Sequence, residues 1–204
     1  MKPSRDSLPD SASIARKRRQ SILPEKLGRK GHAISVRRRP NSPSQGILAV
    51  GSCTFRCALG RSGISAFKRE GDGATPLASM RPIRILFRRD RRPSGIGPAR
   101  LPAAVIRQDF GWCDAPQSPS YNRLVRLPFA ASHEKMLRDD RLYDVCVVLD
   151  WNFLPRKRGG GSAIFLHVAR PGFEPTEGCI AVAPGTMARL LPLLSRQTRI
   201  IVRR

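Results

Sequence analysis

His167 and Cys179 stand twelve positions apart in "IFLHVARPGFEPTEGCIAV" (164–182), separated by a turn-rich loop. An imidazole within hydrogen-bond reach of a thiol can take its proton, and the thiolate so formed is the nucleophile that acyl transfer requires. Cys179 follows Gly178, a residue type that lets backbone approach a substrate closely and leaves amide N–H groups free to face an oxyanion. Both residues also have an ordinary reading. A cysteine opening an apolar strand is commonly a small buried hydrophobe, and a histidine in a strand is commonly a hydrogen-bonded core residue. Their spacing alone leaves the two readings open.

Short strands must position this pair. "GSAIFLHVA" (161–169) reads as a strand entered through glycines 159–161, and "IAVA" after Cys179 as another; neighbouring strands can bring residues twelve apart into side-chain contact. Upstream, "LYDVCVVLDW" (142–151) has the pattern of an interior strand, "IRILF" of a further one, and "GILAVGSCTFRCALGRSG" of strand, turn and strand. "GTMARLLPLLSR" (185–196) sets Met187, Leu190, Leu191 and Leu194 on one helical face, with Pro192 late in the pattern. "TRIIVRR" is read as a basic edge strand. Many short strands, one clear helix and no βαβ alternation predict a mostly-β domain with one or two short helices.

Residues 1–45 are rich in Arg, Ser and Pro, show no periodicity, and carry twelve Lys/Arg against three Asp/Glu. That composition predicts a disordered basic extension, followed by one domain over 46–204. The net charge of +23 makes anionic partners the first suspects. No recognition motif for nucleic acid appears and only 6% of residues are aromatic, so nucleic-acid binding is expected only through non-specific basic charge. Five cysteines, Cys53, Cys57, Cys113, Cys146 and Cys179, are an odd number, so complete internal pairing is excluded. The C-x3-C of Cys53 and Cys57 lacks a second pair at ligand spacing, so no metal site is expected. No stretch approaches the ~18 apolar residues of a membrane span, and no export signal is readable.

"FLHVARPGFEPTEGCIAV" resembles the active-site segment of the L,D-transpeptidase (YkuD-like) catalytic domain, whose signature is a His, a variable loop, then Ser/Thr-His-Gly-Cys. "GDGATPLASM" (71–80) is similar to that family's Thr-Pro-x-Gly strand entry. "CALGRSGISAFKREGDGATP", "GWCD", "SYNRLV", "RLYDVCVVLDWN" and "GSAIFLH" further resemble a proteobacterial branch, in matching order over roughly residues 46–204. The resemblance implies a β-rich catalytic fold acting on peptidoglycan stem peptides in the periplasm or cell envelope, with no cofactor. It implies that Cys179 is acylated, that His167 serves as base and then acid, that the Val168 carbonyl orients the imidazole, and that the Gly178 and Cys179 amides hold the oxyanion.

Three departures stand out: Glu177 replaces the usual His before Gly-Cys, Ala181 an Arg that often follows, and Ala78 the Gly of Thr-Pro-x-Gly. Hydrolysis by a cysteine peptidase or amidase of stem peptides is therefore an alternative to transfer, and a non-catalytic basic nucleic-acid-binding protein is the competing class. Further candidates for substrate contact are Trp112, Asp114, Tyr121 and Asn122 along the groove, Arg61 and Lys68 for stem carboxylates, and Glu177 for the acceptor amine or a salt bridge to Arg61 or Arg170. His133 and Glu134, in a polar stretch near an expected helix, are given no role.

Overall fold

The structure, a computed structural model, describes residues 33–91 and 100–204. β1 (Ala33–Arg39), β2 (Ser42–Val50) and β3 (Cys53–Ala58) form an antiparallel meander. β4 (Ile64–Ser65) and β5 (Thr75–Pro76) make a short parallel pair, and β6 (Ser79–Met80), β7 (Pro82–Phe87) and β8 (Ala103–Val105) follow. β9 (Phe110–Cys113) is flanked antiparallel by β10 (Arg123–Arg126) and β11 (His133–Lys135). β12 (Val145–Leu149), β13 (Phe165–Val168), β14 (Ile180–Val182), the helix α1 (Pro184–Leu190) and β15 (Arg199–Arg203) come last. Ten strands join one sheet in the order β6-β15-β1-β2-β3-β14-β13-β12-β7-β8. The domain is mostly β, as its sequence predicts.

The centre of the large sheet, β12, β13 and β14, is buried on both faces, and β12 shows why. Val145, Val147 and Leu149 point to one side, into a cluster with Met187 and Leu190 of α1; Cys146 and Val148 point to the other, into a cluster with Trp112 and Phe165. A strand covered on both faces has no polar side, which accounts for its unbroken apolar run. Each fully buried Val, Leu or Phe contributes roughly 1.5–3 kcal/mol relative to exposure. The second cluster lies between the large sheet and the three-stranded one, and it is there that the candidate residues meet.

Three expectations are corrected. The expected boundary at residue 46 falls too late, because β1 and the first half of β2 lie before it, with β1 between β15 and β2. Ile34 and Val36 are fully buried at the two-residue period of a strand, yet the exposed arginines 37–39 mask that period in a composition reading. Residues 1–32 lie outside the described residues. β15 is no edge strand, since it pairs with β1 on one side and β6 on the other. His133 and Glu134 lie on a strand, not near a helix. The helix does stop where Pro192 intrudes: α1 ends at Leu190 and a 3-10 turn takes Leu191–Leu193.

Candidate active site

β13 and β14 run parallel, with Leu166 opposite Ile180 and His167 opposite Ala181, so Cys179 enters beside Phe165. Alternation sends Phe165, His167 and Cys179 to one face of the sheet and Leu166 and Ile180 to the other, in agreement with the two buried clusters. His167 and Cys179 thus sit diagonally on adjacent strands, and both line a cavity of about 540 Å³.

The imidazole is 4% exposed, and its Nδ1 lies 2.8 Å from the carbonyl oxygen of Val168. A carbonyl only accepts, so Nδ1 carries the hydrogen and, in the neutral ring, Nε2 carries the lone pair. Burial drives the imidazole pKa down to about 4, so the neutral ring is the resting form. The edge of Tyr143 packs on it, 5.4 Å between ring centroids.

The Cys179 thiol donates to the carbonyl of Ala163 at 3.1 Å and accepts from the amide of Phe165 at 3.4 Å. Burial pushes its pKa up to about 12, with the nearby Glu134 charge adding to the rise. Among the described residues no hydrogen bond joins thiol to imidazole. At rest the site holds a neutral thiol and a neutral base on one wall.

The turn before Cys179 is built by Thr176 and Gly178. Thr176 Oγ1 donates to the Cys179 carbonyl at 2.7 Å and accepts from the Gly178 amide at 3.2 Å. Its own backbone bonds Leu59 and Arg61, stitching the turn to the end of β3. Gly178 has φ 129°, and a Cβ there would come within 2.7 Å of the Ala74 carbonyl oxygen; only glycine fits. Thr75, fully buried, accepts from the Gly60 amide at 2.8 Å and braces the same junction. The Gly178 amide is thus engaged by Thr176, while the Cys179 amide has no acceptor among the described residues.

The remaining candidates separate. Asp114 and Glu177 line the cavity, and Glu177 forms an ion pair with Arg61 in which both side chains are at least half exposed. Lys68 is buried and bonded to Asp72 at 2.6 Å; it does not line the cavity, though its charge pulls against the rise of the Cys179 pKa. Trp112, Tyr121 and Asn122 are buried structural groups outside the cavity wall. Asn122 Oδ1 accepts from Trp112 Nε1 at 3.0 Å and from the Ala163 amide at 3.1 Å, while its Nδ2 donates to the carbonyls of Trp151 and Asn152. It therefore fixes the segment whose carbonyl holds the thiol. Tyr121 donates to Glu70.

Glu134, to which the sequence reading gives no role, stands on the cavity wall. It accepts from Tyr143 Oη at 2.7 Å and from Arg138 Nη1 at 3.4 Å. Burial raises its pKa, against the pull of Tyr143 and Arg138. Ser162 and Glu70 line the cavity as well. None of these has a local pattern that could have announced it, because Glu134 comes from β11, Glu70 from the loop between β4 and β5, and Ser162 from the segment before β13.

A comparison with known families matches residues 50–202 to YkuD, the L,D-transpeptidase catalytic domain. The chain belongs to the YkuD family. Members are cysteine-dependent acyltransferases acting on peptidoglycan, which suits a YkuD domain whose buried thiol and neutral imidazole share one cleft. No curated protein matches the chain. No solved structure matches it either. β1 and most of β2 precede the matched YkuD segment yet supply three fully buried core residues, Ile34, Val36 and Leu48.

Proposed function

We propose that this YkuD domain is a peptidoglycan L,D-transpeptidase of the cell envelope that forms a thioester on Cys179 and transfers the acyl group to an amine of a second stem peptide. The observation that carries the reading is the Nδ1–H contact to the Val168 carbonyl, which leaves Nε2 of a neutral His167 as a base on the face that bears Cys179. The thiol turns from the Ala163 carbonyl toward His167, gives up its proton, and attacks the donor carbonyl. His167 then protonates the departing amine. The acceptor amine gives a proton to His167 as it attacks the thioester carbonyl, the C–S bond breaks, and His167 returns that proton to the departing thiolate. The Cys179 amide is the oxyanion donor, since the Gly178 amide is engaged by Thr176.

Glu177 serves as a structural partner of Arg61 rather than as the amine site, because its carboxylate already has that cation. Lys68, held by Asp72, does not receive a stem carboxylate. Non-specific binding of nucleic acid does not use the cleft, whose wall carries five acidic residues and two arginines. The test is mass spectrometry of the intact protein with a carbapenem, then with tetrapeptide stem and acceptor. Acylation at Cys179, lost in Cys179→Ala and His167→Ala, followed by cross-linked product is expected. Free tripeptide without cross-link would show hydrolysis instead, and no acylation at Cys179 would refute the reading.

A further inference from the structure

Two large apolar side chains stand in water among the described residues, Phe67 at 86% and Leu154 at 84% exposure. They belong to the loop between β4 and β5 and the loop between β12 and β13. These loops enclose a second hollow of about 640 Å³, lined by Phe67 and Arg69 from the first and by Pro155, Lys157 and Arg158 from the second. Leu154 immediately precedes Pro155. No acidic side chain lines this hollow, nor the smaller one that shares Pro155 and Arg158 with it and adds Arg156. Arg69, Arg156, Lys157 and Arg158 are exposed and form no ion pair among the described residues.

The surface is ordered before any partner arrives. Asn152 Oδ1 accepts from the Lys157 amide at 2.8 Å, and its Nδ2 donates to the Lys157 and Gly161 carbonyls. Trp151 Nε1 donates to the Gly160 carbonyl at 3.0 Å, and the Glu70 amide ties the two loops by donating to the Gly159 carbonyl at 2.9 Å. Binding therefore need not order these loops. Apolar tips flanked by unpaired cations suit a surface that is anionic outside and apolar within, as a bilayer of acidic lipids is. A nucleic acid would engage the cations but leave Leu154, which has no ring to stack on a base, in water. A second copy of the chain carries the same positive charge and is repelled.

We propose that these two loops form a docking surface for an anionic lipid bilayer, with Phe67 and Leu154 entering the headgroup boundary and Arg69, Arg156, Lys157 and Arg158 meeting the headgroup phosphates. The proposal stands whether or not the transpeptidase reading does. Because the basic N-terminal segment is itself drawn to anionic vesicles, the test must read the loops and not adhesion alone. The full chain carrying Phe67→Trp is mixed with vesicles of brominated phosphatidylcholine, with and without brominated phosphatidylglycerol. Quenching of the added tryptophan beyond that of wild type is expected with phosphatidylglycerol and not without it. Phe67→Ser combined with Leu154→Ser keeps every charge and should weaken vesicle affinity about tenfold or more. Replacing Arg156, Lys157 and Arg158 by Gln should weaken it about a hundredfold, at ~fivefold for each cation. All these changes fall on exposed side chains and should leave Tm unchanged. Adhesion without quenching of Phe67→Trp, or a smaller loss in the serine pair, would overturn the proposal. So would an equal loss of single-stranded DNA binding in that pair, which assigns the loops to nucleic acid, or a blue shift of Phe67→Trp emission with protein concentration alone, which assigns them to a second copy.

Discussion

Burial pushes the Cys179 thiol up to about 12 and the His167 imidazole down to about 4, so both groups rest in their neutral forms. A preformed thiolate–imidazolium pair is therefore absent, and the proton moves only as substrate binds and the carbonyl is attacked. Raising pH in an iodoacetamide reaction, with alkylation of the Cys179 peptide followed by mass spectrometry, exposes this directly. At pH 7.5 a thiol of pKa about 12 is ionised to only ~1 part in 30,000, against ~1 part in 10 for an ordinary cysteine. Alkylation should be slower than that of a free thiol by about a thousandfold or more, and should climb about tenfold per pH unit from 7 to 10. The slope is the decisive quantity, because poor access lowers the rate at every pH without changing it. His167→Ala should alter this resting reactivity by less than about threefold while lowering acyl transfer by ~10²–10⁴. A plateau in alkylation below pH 7.5 would refute the neutral pair.

Three further outcomes follow from the same geometry. The folded state holds His167 neutral down to about pH 4 whereas an unfolded chain protonates it near 6.5. Between these values the unfolded state binds the extra proton, so stability rises with pH through that window and is lower below it, by up to ~3 kcal/mol; urea melts of wild type and His167→Gln at pH 4.5 and 7.5 should show a smaller pH difference in the variant. Gly178→Ala places a Cβ 2.7 Å from the Ala74 carbonyl oxygen at φ 129°, so it should cost about 1–3 kcal/mol and nearly abolish acylation of Cys179, read from Tm and intact mass. A chain beginning at Gly46 lacks β1, with its fully buried Ile34 and Val36, and should fail to give a cooperative melt, whereas one beginning at Ala33 should melt cooperatively.

The local sequence was enough to find the strands with strong local signals and to single out His167 and Cys179 as a candidate pair. β12 and β13 are legible because burial on both faces demands an apolar run, and the helix ends where Pro192 forbids it to continue. Cys179, His167 and the Thr176-Glu177-Gly178 turn lie within one segment of thirteen residues; its spacing left the catalytic and the ordinary reading open, and its resemblance to the family's active-site segment singled it out. β1 was hidden although its hairpin partner β2 is adjacent: only Ile34 and Val36 mark its two-residue period, the exposed arginines 37–39 fill its other half, and its second partner β15 lies at the far end of the chain. The rest of the cleft was decided by tertiary structure for the same reason. Glu134 comes from β11, Tyr143 from the approach to β12, Asp114 from the end of β9 and Ser162 from the entry to β13. Lys68 and Asn122 looked like ligand-binding side chains in sequence, yet the fold gives one an aspartate and the other four hydrogen-bond partners. Burial acts likewise on chemistry: it makes the imidazole a neutral base and the thiol a weak acid. Desolvation depends on everything packed around a group, and so only the folded chain sets it.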